Sequence, residues 1–241
     1  MPTMDFDSSI SQSPDGSNSL ELLLAWDDAA GIEMAVVMAP PDAHPDNYWI
    51  YTQIKDEPRC IGCAIINPTL GADAVTELER CVKEYGFRGM KLQATAHGYP
   101  IEDELVDPVM AKAAELGVVA TIHSGSEFCS PAQIGLLAGR HPSVPIVMDH
   151  MGYRYHVGQA IAAAKLFPNL YLGTTVANNE PGSVMNAIRK VGPDRVVYGS
   201  NAPASYPDLA VAALKRLKLD PTWERMLLGD NLARIYGIVS P

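Results

Sequence analysis

At 241 residues and 47% hydrophobic content, the chain can build one large core but not two ordinary enzyme domains; single α/β barrels commonly run to about 250 residues. A formal net charge of −10, with no run of Lys and Arg to offset it, argues against nucleic acid and anionic membranes as partners. No stretch approaches the roughly 18–20 apolar residues of a membrane span, and Met1–Ser19 lacks the basic start and apolar middle of a signal peptide, so a cytoplasmic location with reduced cysteines is expected.

In chain order, Thr3–Asp7 reads as a weak first strand, and the polar stretch Ser8–Ser19 as a flexible first loop. Leu20–Ala30 is an amphipathic helix stopped by Gly31, and Met34–Met38 is the second strand. Asn47–Asp56 is helical, Cys60–Ile66 is the third strand, and Asp73–Tyr85 is a helix ending at Gly86. Gly89–Leu92 and Val118–His123 are strands four and five, separated by the helix Asp107–Leu116. Helix Pro131–Gly139, with Ser130 as N-cap, leads to strand Pro145–Asp149 and helix Val157–Phe167. Strand Leu170–Thr174, helix Val184–Val191, strand Arg195–Tyr198, helix Leu209–Leu217 and a closing helix Thr222–Tyr236 complete the pattern. The middle strands are continuous apolar runs, as expected for strands buried on both faces of a parallel sheet. Eight alternating units predict a single (β/α)8 TIM barrel spanning residues 1–241. No Gly-x-Gly-x-x-Gly follows the first strand, which argues against a dinucleotide-binding sheet.

Polar residues that end barrel strands at their C-terminal edge face the active site. They are Asp5 and Asp7 on strand one, Asn67 on three, Lys91 and Gln93 on four, His123 on five, and Asp149 and His150 on six. Thr174 and Thr175 follow strand seven, and Ser200 and Asn201 follow strand eight. His123 and His150 each end an apolar strand and precede a glycine by two residues. Two imidazoles so placed on neighbouring strands suit a shared site for a metal or an anionic oxygen. Lys91 is a candidate partner for a substrate carboxylate, and Tyr153, His156, Glu127 and Trp49 are candidates for the pocket wall. Cys60 and Cys63 lie three apart in an apolar strand and so point to opposite faces, which makes them core residues and not a redox pair.

Several segments resemble the amidohydrolase superfamily, in the branch that holds decarboxylases, hydratases and lactonases. They are Gly86-Phe-Arg-Gly-Met-Lys-Leu92, Ile122-His-Ser-Gly125, Asp149-His-Met-Gly152, Gly192-Pro-Asp-Arg-Val-Val-Tyr-Gly-Ser-Asn-Ala-Pro203 and Asn231-Leu-Ala-Arg-Ile-Tyr236. The resemblance implies an enzyme that hydrolyses or decarboxylates a small carboxylated or cyclic substrate, a lactone or an aromatic acid. In the family pattern strand one carries Asp-x-His-x-His, strands five and six a histidine each, and strand eight an aspartate. Here His123 and His150 match, while Asp7 and Ser9 stand at the strand-one histidines and Asn201 at the aspartate. An asparagine has no proton to move near neutrality.

Two arrangements follow. Asp7, His123 and His150 could hold one divalent Zn, Mn or Fe ion with Asn201 beside it, or the site could carry no metal, its histidines binding substrate oxygen directly. The expected catalytic set is His123, His150, Asn201 and Asp149, with Asp149 or Glu127 as acid/base. Two other readings stay open: a catalytically silent, metal-free barrel that binds a ligand or partner, and an isomerase or cyclase on the same scaffold. A small molecule is the expected partner, and barrels of this kind often pair as homodimers.

Overall fold

The computed structural model describes residues 1–42 and 44–238. The apolar runs become parallel strands: β1 (Met4–Ser9), β2 (Met34–Met38), β3 (Cys60–Ile66), β4 (Gly89–Leu92), β5 (Val119–Ile122), β6 (Ile146–Met148), β7 (Leu170–Gly173) and β8 (Val196–Val197). They pair in sequence order from β1 to β8. The ring closes where Phe6 N–H donates to the Tyr198 carbonyl at 3.3 Å and Ser9 N–H to the Ala202 carbonyl at 2.9 Å. The architecture is a (β/α)8 barrel, with almost every strand residue buried.

Helices α1 (Leu20–Ala30), α2 (Asn47–Ile54), α3 (Ala72–Lys83), α4 (Ala94–His97), α5 (Asp107–Leu116), α6 (Pro131–Arg140), α7 (Tyr153–Leu166), α8 (Pro181–Val191) and α9 (Pro207–Lys215) lie between or after strands. Caps fix several boundaries: Gly31 and Gly117 end α1 and α5 in left-handed conformations, and Ser130 with Gln133 forms a capping box on α6. Among the described residues no helix is long and apolar enough to cross a membrane.

Several boundaries differ from expectation, and three of them bear on the closure and the mouth of the barrel. β1 runs on to Ser9, because Ser8 pairs with Ala202 and the Ser9 N–H is bonded across the closure, so the first loop starts at Ile10. The helix after β6 begins at Tyr153, not Val157, directly after a turn in which His150, Met151 and Gly152 all have positive φ. The closing helix is broken into α10 (Pro221–Arg225), a π turn over Met226–Asp230, and α11 (Asn231–Ile235). A Cβ on Gly229 within that turn would lie 1.9 Å from the Pro2 carbonyl oxygen, so the incoming N-terminal segment packs directly on this backbone.

The bottom of the barrel is filled from the C-terminus. A Cβ on Gly89 would sit 2.9 Å from the Tyr236 hydroxyl and 3.3 Å from Cys63 Sγ, so this strand position is left open for the tyrosine. At the closure Phe6 takes the space that Gly173 and Gly199 leave empty. Packing at this end directs the polar side chains of β1, β4, β5 and β6 to the opposite, C-terminal mouth.

Candidate active site

His123 and His150 leave β5 and β6 side by side, with ring centroids 4.8 Å apart at an interplanar angle of 79°. Two glycines permit this. A Cβ on Gly125, at φ 97°, would meet the Tyr153 Cβ at 2.5 Å, and one on Gly152, at φ 78°, would meet Pro131 at 2.9 Å. The Ser124 hydroxyl staples the two loops: it donates to the Asp149 carbonyl and accepts from the Gly152 N–H at 2.8 Å.

Each imidazole is held through Nδ1. His150 Nδ1 lies 2.7 Å from Thr175 Oγ1, which also accepts the His150 backbone N–H at 2.9 Å. His123 Nδ1 lies 3.6 Å from the Cys129 sulfur, whose other neighbours are Ser126 Oγ and Thr95 Oγ1. Burial pushes the Cys129 thiol up, but its contacts with His123, Ser126 and Thr95 hold it below its ordinary value. In both rings Nε2 is left for whatever enters the mouth.

Beside the histidines lies a buried charge cluster. Lys91 Nζ donates to Asp7 Oδ1 at 2.6 Å and to Asp149 Oδ2 at 2.9 Å, and these three side chains are at most 6% exposed. Asp149 Oδ1 lies 3.3 Å from His150 Nδ1. Burial acts to raise the Asp149 carboxyl, but His150 and Lys91 outweigh it and hold this group ionised, below the usual carboxylate range. Asp7 goes the other way: burial and the Asp149 charge raise it against the pull of Lys91. Burial alone would lower Lys91, yet Asp149 and Asp7 carry it above its ordinary value. Among the described residues Asp7 Oδ2 has no hydrogen-bond partner.

Behind Asp7, the Asp5 carboxylate accepts N–H bonds from Asp7 and Ser200, both at 2.9 Å, and so ties β1 to the turn after β8. That turn presents Asn201 at φ 64°, a left-handed conformation that asparagine tolerates better than most residues. A cavity of about 400 Å³ opens among Asp7, Ser9, Lys91, Gln93, Thr95, His123, His150 and Asn201.

The residues expected at the site are thus placed in two groups. Asp7, Lys91, His123, His150 and Asn201 line the cavity, and Asp149 lies just beneath it. Lys91, expected to meet a substrate carboxylate, lines the cavity and also bonds the chain's own Asp7 and Asp149. The other four lie outside the cavity lining. Glu127 is exposed, and Trp49 packs from α2 against the core. Tyr153 and His156 stand on the first turn of α7, where Tyr153 contacts the edge of the His150 ring at 5.8 Å. Ser124, Thr175 and Cys129 escaped emphasis as functional residues. Ser124 sits between His123 and Gly125, so its motif position was the one available signal; the Cys129 contact had none.

The chain matches the amidohydrolase family model over residues 14–238. No curated protein matches it in sequence. An uncharacterized TIM-barrel protein from Bordetella bronchiseptica superposes with a TM-score of 0.85 at 18% identity, covering 98% of this chain and 99% of that one. The 5-carboxyvanillate decarboxylase of Sphingomonas paucimobilis gives 0.79 at 16%, covering 99% of each chain. A dihydroxybenzoic acid decarboxylase from Polaromonas sp. JS666, crystallised with manganese and the inhibitor 2-nitroresorcinol, gives 0.80 at 17%, covering 100% of this chain and 98% of that one. At such identities these likenesses concern the fold, whereas the family match spans almost the whole chain. By that match, which spans well over half of its length, the chain belongs to the amidohydrolase family.

Proposed function

We propose that the barrel mouth decarboxylates a small aromatic or cyclic acid. The observation that carries this reading is the convergence of two imidazoles, 4.8 Å apart, on a cavity of about 400 Å³ that Asp7 also lines. Such a volume suits a single substituted ring. The superposed 5-carboxyvanillate and dihydroxybenzoic acid decarboxylases share the barrel and make this the first chemistry to test.

Loss of CO2 from an aromatic acid needs a proton at the ring carbon that bears the carboxylate. The ring gains that proton, the C–C bond then breaks, and its electron pair restores the aromatic ring as CO2 leaves. Asn201 cannot deliver the proton, and Asp149 is held ionised. Asp7 lines the cavity, and burial favours its protonated form. After transfer, the new carboxylate is stabilised by Lys91 at 2.6 Å. His123 and His150 present Nε2 to the substrate carboxylate, and the Asn201 amide serves a ring hydroxyl or carbonyl.

Manganese in the dihydroxybenzoic acid decarboxylase from Polaromonas raises the question of a metal here. Asp7, Asp149 and His150 each bring one ligand atom within 4.8 Å of the others. Lys91 already spans both carboxylates, however, so a dication among them would share its ligands with a buried ammonium. The residues as arranged do not fit such an ion, and no step above uses one.

The test is CO2 release from a panel of hydroxybenzoates and 5-carboxyvanillate, run beside lactone hydrolysis. His123→Ala and His150→Ala are each expected to lower kcat/KM by at least about 10³-fold with the circular dichroism spectrum intact. Unchanged turnover in both variants would remove the reading.

A further inference from the structure

We infer that Lys91 is the resident cation of this pocket, in the place where a divalent metal would otherwise sit. The inference goes beyond the proposed decarboxylation and holds whichever acid the enzyme takes. Three observations carry it. The Nζ lies 2.6 Å from Asp7 Oδ1 and 2.9 Å from Asp149 Oδ2, which is charge-assisted hydrogen bonding to the two acidic members of the one metal-ligating group found among the described residues. The third member, His150, has Nδ1 committed to Thr175 Oγ1 at 2.7 Å and so keeps Nε2 alone to offer an ion. The other potential ligands that line the cavity, Ser9, Gln93, Thr95, His123 and Asn201, bring no anionic oxygen, and the Ser9 hydroxyl already donates to the Ala202 carbonyl at 3.3 Å.

The energetics agree with the geometry. The Asp7 and Asp149 carboxyl groups, whether they keep one proton or none, leave negative charge buried in the wall, and one ammonium with two short bonds offsets it without a metal. The lysine comes from the barrel wall itself: its backbone is fixed in register between Ile65 of β3 and Thr121 of β5. Its head is therefore delivered to the acidic pair by the sheet and is present at every protein concentration. An added dication would have to displace it from both carboxylates or share them with it.

The test reads metal binding and stability and needs no substrate. Wild-type protein, purified without chelator and titrated with Mn2+ by electron paramagnetic resonance, should leave the spectrum of free Mn2+ unchanged at millimolar concentration. Its melting temperature should be unmoved by dipicolinate. Lys91→Met removes the charge and keeps an unbranched stem; it should take up about one equivalent of Mn2+, at least 10-fold more tightly than wild type. If that variant is unfolded alone, recovery of its melting transition on adding Mn2+ supports the inference equally. One equivalent of tightly held metal in wild type, or a chelator-induced fall in its melting temperature, overturns the inference. A folded Lys91→Met that ignores Mn2+ overturns it too, and if that variant stays unfolded with Mn2+, the wild-type titration and chelation decide alone. Failure of the CO2 assay would touch none of these readouts.

Discussion

Thr175 shows how one hydroxyl can position a histidine that two neighbouring strands have only brought near. Its Oγ1 accepts the His150 backbone N–H and contacts Nδ1, while His150 itself is held at φ 61°. Thr175→Val keeps the β-branched shape but leaves two buried groups unsatisfied. It should cost about 1–3 kcal/mol in urea denaturation, whereas Thr175→Ser should retain most of that stability. A Val variant as stable as wild type would mean that the hydroxyl does not hold the ring. The sequence placed Thr175 after strand seven but gave no reason to join it to His150, since that contact crosses 25 residues.

Among the elements, the turns after β5 and β6 determine the site more than the strands do. Both strands were legible as apolar runs ending in histidine, and the glycines two residues beyond were legible as a shared motif. What the glycines do was not: Gly125 admits the Tyr153 Cβ and the Gly152 backbone into space that a methyl group would fill. Gly125→Ala should destabilise the fold by about 2–3 kcal/mol, through overpacking at a positive φ. Gly158→Ala, within α7 where an added Cβ meets nothing within 4 Å, should be neutral or stabilise by about 0.5–1 kcal/mol. Equal urea midpoints for the two variants would contradict the close loop contact. The start of α7 was misread for the same reason. The turn preceding it adopts left-handed backbone at His150 and Met151, which local propensity does not anticipate.

At the scale of the whole molecule, two buried carboxyls make stability depend on pH. Burial pushes Asp5 up to about 7 and Asp27, on the inner face of α1, up to about 8. For Asp27 the Asp5 charge adds to the rise and Arg59 opposes it. Between the ordinary carboxylate range and these values the folded state keeps protons that the unfolded chain has released. These two groups therefore stabilise the fold most at the acid end, and their contribution falls as pH rises to about 7 and 8. Asp149, held ionised, works in the opposite sense and loses its contribution only as pH falls below the usual carboxylate range. Denaturation between pH 5 and 9 isolates the first effect. Asp27→Asn should flatten the curve and gain about 1–3 kcal/mol at pH 8–9; a variant curve parallel to wild type would contradict this.

The sequence by itself determined the barrel. Eight apolar runs alternating with capped helices can bury their faces in few other ways, and strand order follows chain order. It also determined which residues end the strands at the mouth, because a strand's last polar residue has nowhere else to face. Only the tertiary structure decided how those residues are shared out. Lys91 carries no mark in the sequence that it turns to Asp7, 84 positions away. Nor does Cys129 show that it backs His123. Patterns of hydropathy and capping act over one or two turns of chain, whereas the charge balance of the pocket is set by side chains that meet only when the ring of strands closes.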